Sequence, residues 1–331
     1  IYYLANKFDF DGKMLTEALK KTFENRGHAF TIEQFEQVMA FEYLFESISN
    51  VQGRNLVEKF TTKNCHNTYI SKFFIRLSTR KDEEDNMKIH LFQQCLIDMF
   101  YPHVGMAGVE VLERLGCELV VPKKQVCCGQ MFTNSGYNDA AMDAIKNTIE
   151  CFENAEYVVS MSGSCAFAIR DEYHHFLKDQ PEWLARAEKL SGKIYEFTQF
   201  ITDVLGVEDV GARFNESVTY HTSCHVTRLM GIKEPPFKLL KNVKDINLIE
   251  LPRADRCCGF GGTFSVKNPE ISEVMTREKA LEIASTGANV ISGSDQACLM
   301  NIAGMLDRLH KEGEIDRRIK VMHIAEILNC R

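Results

Sequence analysis

Two Cys-Cys-Gly triplets, at 127–129 and 257–259, constrain this chain more than any other feature. Adjacent side chains normally diverge, so neighbouring cysteines serve one centre only where the backbone turns sharply. A following glycine permits that turn, because it adopts positive φ without Cβ strain. The triplets belong to a larger pattern. Cys95 and Cys224, Cys127 and Cys257, Cys128 and Cys258, and Cys165 and Cys298 recur in the same order at an offset of about 130 residues. Their contexts recur as well, with "YVVSMSGSC" (157–165) resembling "NVISGSDQAC" (289–298). A fixed period of this kind marks an internal duplication. Cys65, Cys117, Cys151 and Cys330 have no mates and read as small buried hydrophobes.

Each half carries the same alternation. "KIHLFQQ" (88–94) reads as a strand leading into Cys95, and "VGMAGVEVLERLG" (104–116) as a helix closed by Gly116. "CELVVP" (117–122) is a second strand before the first triplet. "DAAMDAIKNTIECFENA" (139–155) is a helix, and "YVVSMS" (157–162) a third strand before Cys165. "SVTYHT", "INLIEL" and "NVISGS" repeat the three strands in the second half. Alternating strands and helices predict α/β architecture with parallel sheets. The expected domains are 87–205 and 217–331, joined by a linker at 206–216. All eight repeated cysteines then follow the C-terminal ends of strands, where open α/β sheets bind ligands. Helix N-termini at that edge favour thiolates and an anionic centre. Gly129 and Gly259 are expected to leave room for a bulky inorganic group there, and so count as cofactor-binding residues.

The remaining composition excludes several classes. The net charge of −7 offers no broad basic surface for nucleic acid. No run of about 18 uncharged apolar residues predicts a membrane span, and no signal peptide stands at the start. The 12 cysteines are therefore expected in a reducing cytoplasm, where clustered cysteines bind metal or do redox chemistry. Three readings of the cysteine sets stay open. Iron–sulfur clusters take four thiolates from distant positions. Structural zinc prefers short C-x-x-C knuckles, which are missing here. A metal-free vicinal dithiol needs neither Cys95 nor Cys165. "GFGG" (259–262) fails as a dinucleotide fingerprint, because Phe264 stands where that motif requires glycine. No flavin or nicotinamide fingerprint appears, so an electron carrier is expected, a non-catalytic or co-catalytic subunit of an oxidoreductase.

At these residues the chain resembles the cysteine-rich CCG domain found in heterodisulfide reductase and in the glycolate oxidase iron–sulfur subunit. "CLIDMFYPHVGMAGVEVLERLGCEL", "CCGQMFTNSGY", "YHTSCHVTR", "CCGFGGTFSVKNPEIS" and "CLMNIAGML" are most similar to the lactate-utilisation iron–sulfur family, LutA/LldE, over residues 87–331. The resemblance implies a duplicated α/β fold carrying up to two iron–sulfur clusters. It also implies electron transfer in oxidation of L-lactate to pyruvate, beside LutB-like and LutC-like partner proteins. The expected metal ligands are Cys95, Cys127, Cys128 and Cys165 in one half, and Cys224, Cys257, Cys258 and Cys298 in the other. The heterodisulfide-reductase pattern has a fifth cysteine, whose place is taken here by Ser162 and Asp295. Four thiolates per half imply [4Fe–4S] clusters. Ser162 and Asp295 read as turn or helix-cap residues. His221 and His225, flanking Cys224, are expected either to tune a cluster or to serve packing and helix initiation. The alternatives are the iron–sulfur subunit of a glycolate oxidase or heterodisulfide-reductase-like complex, or a zinc-stabilised scaffold.

Residues 1–86 lie outside the repeat. "DGKMLTEALKKTFENRGHAF" (11–30) reads as an amphipathic helix and "TIEQ" (31–34) as a capping-box start for another, so a mostly helical leader is expected. Residues 1–45 resemble the C-terminal end of AbiEii-type nucleotidyltransferase toxins, without that family's acidic nucleotide-binding motif. "KDEEDNM" (81–87) fits codons spelling a purine-rich ribosome-binding site before Met87. The expectation is that 1–86 is not native, and that translation starts at Met87. Sequencing the DNA upstream of Met87 checks this: a purine-rich site is expected, and its absence counts against the composite frame.

Overall fold

The computed structural model describes residues 87–331. The leader expected at 1–86, with its two helices, lies outside the described residues. The rest forms two four-stranded, wholly parallel sheets flanked by helices. The first contains β1 (Met87–Phe92), β2 (Cys117–Val120), β3 (Tyr157–Ser160) and β4 (Ile194–Glu196), in spatial order β2-β1-β3-β4. The second contains β5 (Ser217–His221), β6 (Asn247–Ile249), β7 (Val290–Gly293) and β8 (Lys320–His323), in order β6-β5-β7-β8. The duplicated sequence thus gives one topology twice. The registers agree: Ile89 pairs with Leu119 and Tyr157, as Val218 pairs with Leu248 and Val290. The central strands are apolar on both faces, as helix-covered parallel strands must be. Ile89, Leu91 and Phe92 are buried in β1, and Val290 and Ile291 in β7.

The strand order reverses between β1 and β3 in one half, and between β5 and β7 in the other. Loops leaving the two strands at such a point diverge to opposite faces and open a crevice. Cys95 and Cys165 follow β1 and β3; Cys224 and Cys298 follow β5 and β7. The fold therefore sets both cysteine groups beside these crevices. The helix Pro102–Arg114 ends as expected, with Gly116 at φ 84° and its N–H donating to the Glu113 carbonyl.

β4 and β8 were not expected from the sequence. They have three and four residues, and each runs into a helix without an intervening turn. The junction residues, Glu196 and His323, have nearly identical extended backbones and cap the helices that follow. Glu196 Oε2 accepts from the Thr198 and Gln199 amides at 2.8 and 3.1 Å. His323 Nδ1 accepts from the Ala325 amide at 3.1 Å. Strands this short show no period that distinguishes them from a helix start.

One hydrophobic core runs through both sheets, joining Ile89, Leu91 and Val159 to Val218, Tyr220, Val290 and Met322. The segment 206–216, expected as a linker, contributes Val210 and Ala212 to this core and bridges to Lys244. The halves also exchange helices. Ile324–Asn329, closing the second half, packs on Pro102–Arg114 of the first. There Arg114 donates to the Leu328 carbonyl (2.7 Å) and the Asn329 side chain (3.1 Å), and Asn329 donates to Glu110 (2.8 Å). Reciprocally, the helical segment from Phe197 to Val204, closing the first half, packs on Glu234–Lys241 of the second.

The halves also meet beside the cysteines. A Cβ on Gly163, two residues before Cys165, would stand 1.9 Å from Val226 Cγ2, two residues after Cys224. Gly163 has no positive φ, so space alone requires glycine there. Gly163→Ala is expected to lose about 1–3 kcal/mol of stability through overpacking. Adding Val226→Ala should recover much of that loss. Chemical denaturation of both variants checks this, and strictly additive losses would contradict it.

Candidate metal centre

In the first half, three segments bring the cysteines together. Cys95 opens the helix Cys95–Phe100 directly after β1. Cys127 and Cys128 lie in the loop after β2, which Gln125 ties to β1 by accepting from the Gln93 amide at 2.8 Å. Gly129 turns this loop at φ 88° into the short helix Gln130–Thr133. Cys165 lies in the first turn after β3, where Ser162 caps the helix by accepting from the Cys165 amide at 3.3 Å. The resulting Sγ–Sγ separations are 3.9 Å for Cys95–Cys127 and 3.6 Å for Cys128–Cys165. Cys128 and Cys165 are buried, while Cys95 and Cys127 are partly exposed.

The second half repeats the arrangement with different supports. Cys224 follows β5, and its Sγ lies 3.6 Å from His225 Nδ1. Gly259 turns the second triplet at φ 78°, and its amide donates to Cys257 Sγ at 3.4 Å. Cys298 sits in the first turn of the helix Gln296–Lys311, and its Sγ is 3.0 Å from that of Cys258. Asp295 caps this helix through the Ala297 amide, and its other oxygen accepts from the Ser164 amide of the first half at 2.9 Å. The capping reading of Ser162 and Asp295 is therefore the one their hydrogen bonds support.

Both glycines also pack closely against a helix. A Cβ on Gly259 would meet the Ser272 carbonyl at 2.8 Å and Thr276 Oγ1 at 2.7 Å; one on Gly129 would lie 3.6 Å from the Ala141 carbonyl. Each Cβ direction faces the following long helix, Pro269–Ser285 or Asn138–Phe152. Glycine at 259 thus combines positive φ with close helix packing, and at 129 positive φ is the stronger demand.

In each half one thiolate is favoured. Hydrogen bonds from Cys128 and Cys95, with the Gly129 amide, pull Cys127 down to about 3. Hydrogen bonds from Cys224 and Cys258, with the Gly259 amide, pull Cys257 down to about 2. Cys128 and Cys258 are pushed well up by the same hydrogen bonds and by burial. The favoured thiolate in each half is thus held by two neighbouring thiols and one backbone amide. Such sets of converging, partly ionised sulfurs at a sheet edge match the chemistry of a soft metal or iron–sulfur group.

Two further groups act on the second site. Lys279, wholly buried, donates to the Arg253 and Ala254 carbonyls at 3.0 Å each and fixes the loop ahead of the triplet, where Arg253 holds φ 49°. His221, at the end of β5, has a ring nitrogen in a set with Cys258 and Cys298 Sγ whose members all lie within 4.8 Å of one another. Burial pushes this imidazole down to about 3, so it is neutral. The sequence marked His221 only by its place near Cys224; Lys279 gave no signal, because a helical lysine normally reads as surface. His225 instead reaches across to the first half, with Nε2 3.4 Å from Gln130 Nε2. The loops also meet through Ser135 and Thr263 hydroxyls at 2.5 Å, and Lys267 lies over the Tyr137 ring.

Comparison with known proteins agrees with this duplicated site. Residues 89–170 and 218–303 each match the cysteine-rich domain family designated CCG. Lactate utilization protein A of Bacillus pumilus (strain SAFR-032) is 57% identical over 245 residues, 74% of this chain and 100% of that protein. The protein of that name from Bacillus cereus (strain G9842) is 55% identical over the same length. Among solved structures, a hypothetical protein from Helicobacter pylori aligns with a TM-score of 0.50 at 10% identity, covering 80% of this chain and 54% of that one, a likeness of fold alone. With two matched cysteine-rich segments and relatives more than half identical along their full length, the chain belongs to the CCG cysteine-rich domain family, in the lactate utilization protein A group.

Proposed function

We propose that this chain is the iron–sulfur electron-transfer component of a cytoplasmic system that oxidises L-lactate to pyruvate. The observation that carries the reading is the paired approach of cysteine sulfurs at the same edge of two duplicated sheets, at 3.0–3.9 Å. Cys95, Cys127, Cys128 and Cys165 would hold one [4Fe–4S] cluster, and Cys224, Cys257, Cys258 and Cys298 the other. Such a cluster supplies a reversible one-electron store. Lactate oxidation releases two electrons and two protons, so two such stores in one chain match the electron count. The role in lactate use is supported by the relatives named lactate utilization protein A. Among the described residues no helix is long and apolar enough to cross a membrane.

The chain's own residues hold and position the centres. The Gly129 and Gly259 turns present adjacent thiols to one group. Ser162 and Asp295 orient the turns that carry Cys165 and Cys298. The His225–Gln130 contact lies between Cys224 and the turn at Gly129, where an electron would pass between the sites. Substrate oxidation belongs in this reading to LutB-like and LutC-like partners, docked at the sulfur-bearing edge.

Anaerobically purified chain should contain iron and acid-labile sulfide, about four of each per site by the four-thiolate rule. Zinc without sulfide would refute the cluster reading and favour a scaffold. Cys128→Ser or Cys258→Ser should roughly halve the iron, measured by elemental analysis. Cells lacking the protein should grow poorly on L-lactate as sole carbon source but normally on pyruvate. Mixed with L-lactate and an artificial acceptor, the chain should turn over only with its partners; full turnover alone, or by the partners without it, would overturn the carrier role.

A further inference from the structure

The two cysteine groups are duplicated, but their surroundings are not. His221 stands three residues before Cys224, and the position three before Cys95 is Phe92. The register makes these equivalent: Phe92 pairs with Ser160 at the end of β3, as His221 pairs with Gly293 at the end of β7. Both are buried. Phe92 fills its place by packing against Phe152 at a centroid distance of 5.6 Å. The Ala254 backbone lies near the His221 ring, but neither ring nitrogen makes a hydrogen bond of normal geometry. A buried imidazole whose acceptor nitrogen is unused is costly unless something else takes its lone pair. Its nitrogen lies within 4.8 Å of both Cys258 and Cys298 sulfurs, a spacing that lets three donors share one metal ion. The difference continues in the adjoining helix. Gly129 faces Ala141 and Ile145 as Gly259 faces Ser272 and Thr276, which places Thr148 opposite Lys279. Thr148 donates to its own helix at the Ala144 carbonyl, whereas Lys279 puts a buried amino group behind the second triplet.

The geometry points to His221 as one of the four protein ligands of the metal centre in the second half, in place of one of its four thiolates, giving that centre a mixed imidazole–thiolate donor set while the first is held by thiolates alone. This rests on the iron–sulfur reading above. It uses the orphaned nitrogen, the proximity of two sulfurs and the apolar counterpart at Phe92. His225 is the competing nitrogen, but it faces Cys224 from one side and Gln130 from the other.

The test is pulsed EPR of the full chain, reduced anaerobically and grown with ¹⁴N- or ¹⁵N-labelled histidine. Two reduced-centre signals are expected, only one carrying a strong, isotope-sensitive nitrogen coupling of the size given by bound imidazole. His221→Phe, which copies the first half, should abolish that coupling and leave the other signal intact. His225→Gln should retain it. If His221→Phe does not fold, wild type and His225→Gln decide the matter by themselves. Iron and sulfide at both sites without a strong nitrogen coupling would overturn the assignment while leaving the iron–sulfur reading standing. So would a coupling lost with His225. A chain with neither iron nor sulfide would overturn both.

Discussion

A carbonyl buried beside a sulfur centre needs a donor, and the position of each Cys-Cys-Gly turn follows from who supplies it. At the first turn the Tyr173 hydroxyl donates to the Cys128 carbonyl at 2.8 Å. At the second, Thr276 and Asn301 donate to the Cys258 carbonyl at 3.0 and 2.8 Å. All three donors are buried and come from helical segments beyond the turn. Without them the middle cysteine would carry an unsatisfied acceptor, a loss of about 1–3 kcal/mol. The sulfur positions are therefore fixed by a backbone anchor, and the positive φ of the glycine lets the chain reach it.

Much of this was legible in the sequence because duplication doubles every weak signal. Each strand before a cysteine could be checked against its mate, and all six emerged close to the expected places. β4 and β8 lead into none of the repeated cysteines, and their capping residues differ, Glu196 in one half and His323 in the other. No repeated letter marked them. "GVEDVGARFNE" has loop composition and joins the two sheets, but its Val210 and Ala212 are buried because the sheets share one core, which composition alone does not show.

The site was legible in its sulfurs and less so in its support. Cysteines announce themselves by type, whereas Lys279 and Tyr173 are ordinary helix residues until the fold buries them. The cap role of Ser162 and Asp295 follows from residue type, and hydrogen bonds from the Cys165, Ala297 and Ser164 amides agree with it. The positive φ of both glycines follows from the turn that adjacent cysteines need, whereas the helix packed against Gly259 has no mark in the local sequence.

The exchange of closing helices between the halves has a consequence of its own. Ile324–Asn329 on Pro102–Arg114, and the Phe197–Val204 segment on Glu234–Lys241, form the kind of self-complementary contact by which two identical protomers build a two-fold dimer. Two separate copies of one gene product would be bound to carry identical residues at both centres, so a change suiting one would be imposed on the other. Joined in one polypeptide, the copies keep the symmetric interface and lose that obligation. Phe92 can remain apolar while its counterpart becomes His221, and Thr148 can stay a hydroxyl while its counterpart becomes Lys279. Fusion turns a symmetric pair into one with a distinguishable front and back, which is what a chain needs if charge is to enter at one end and leave at the other.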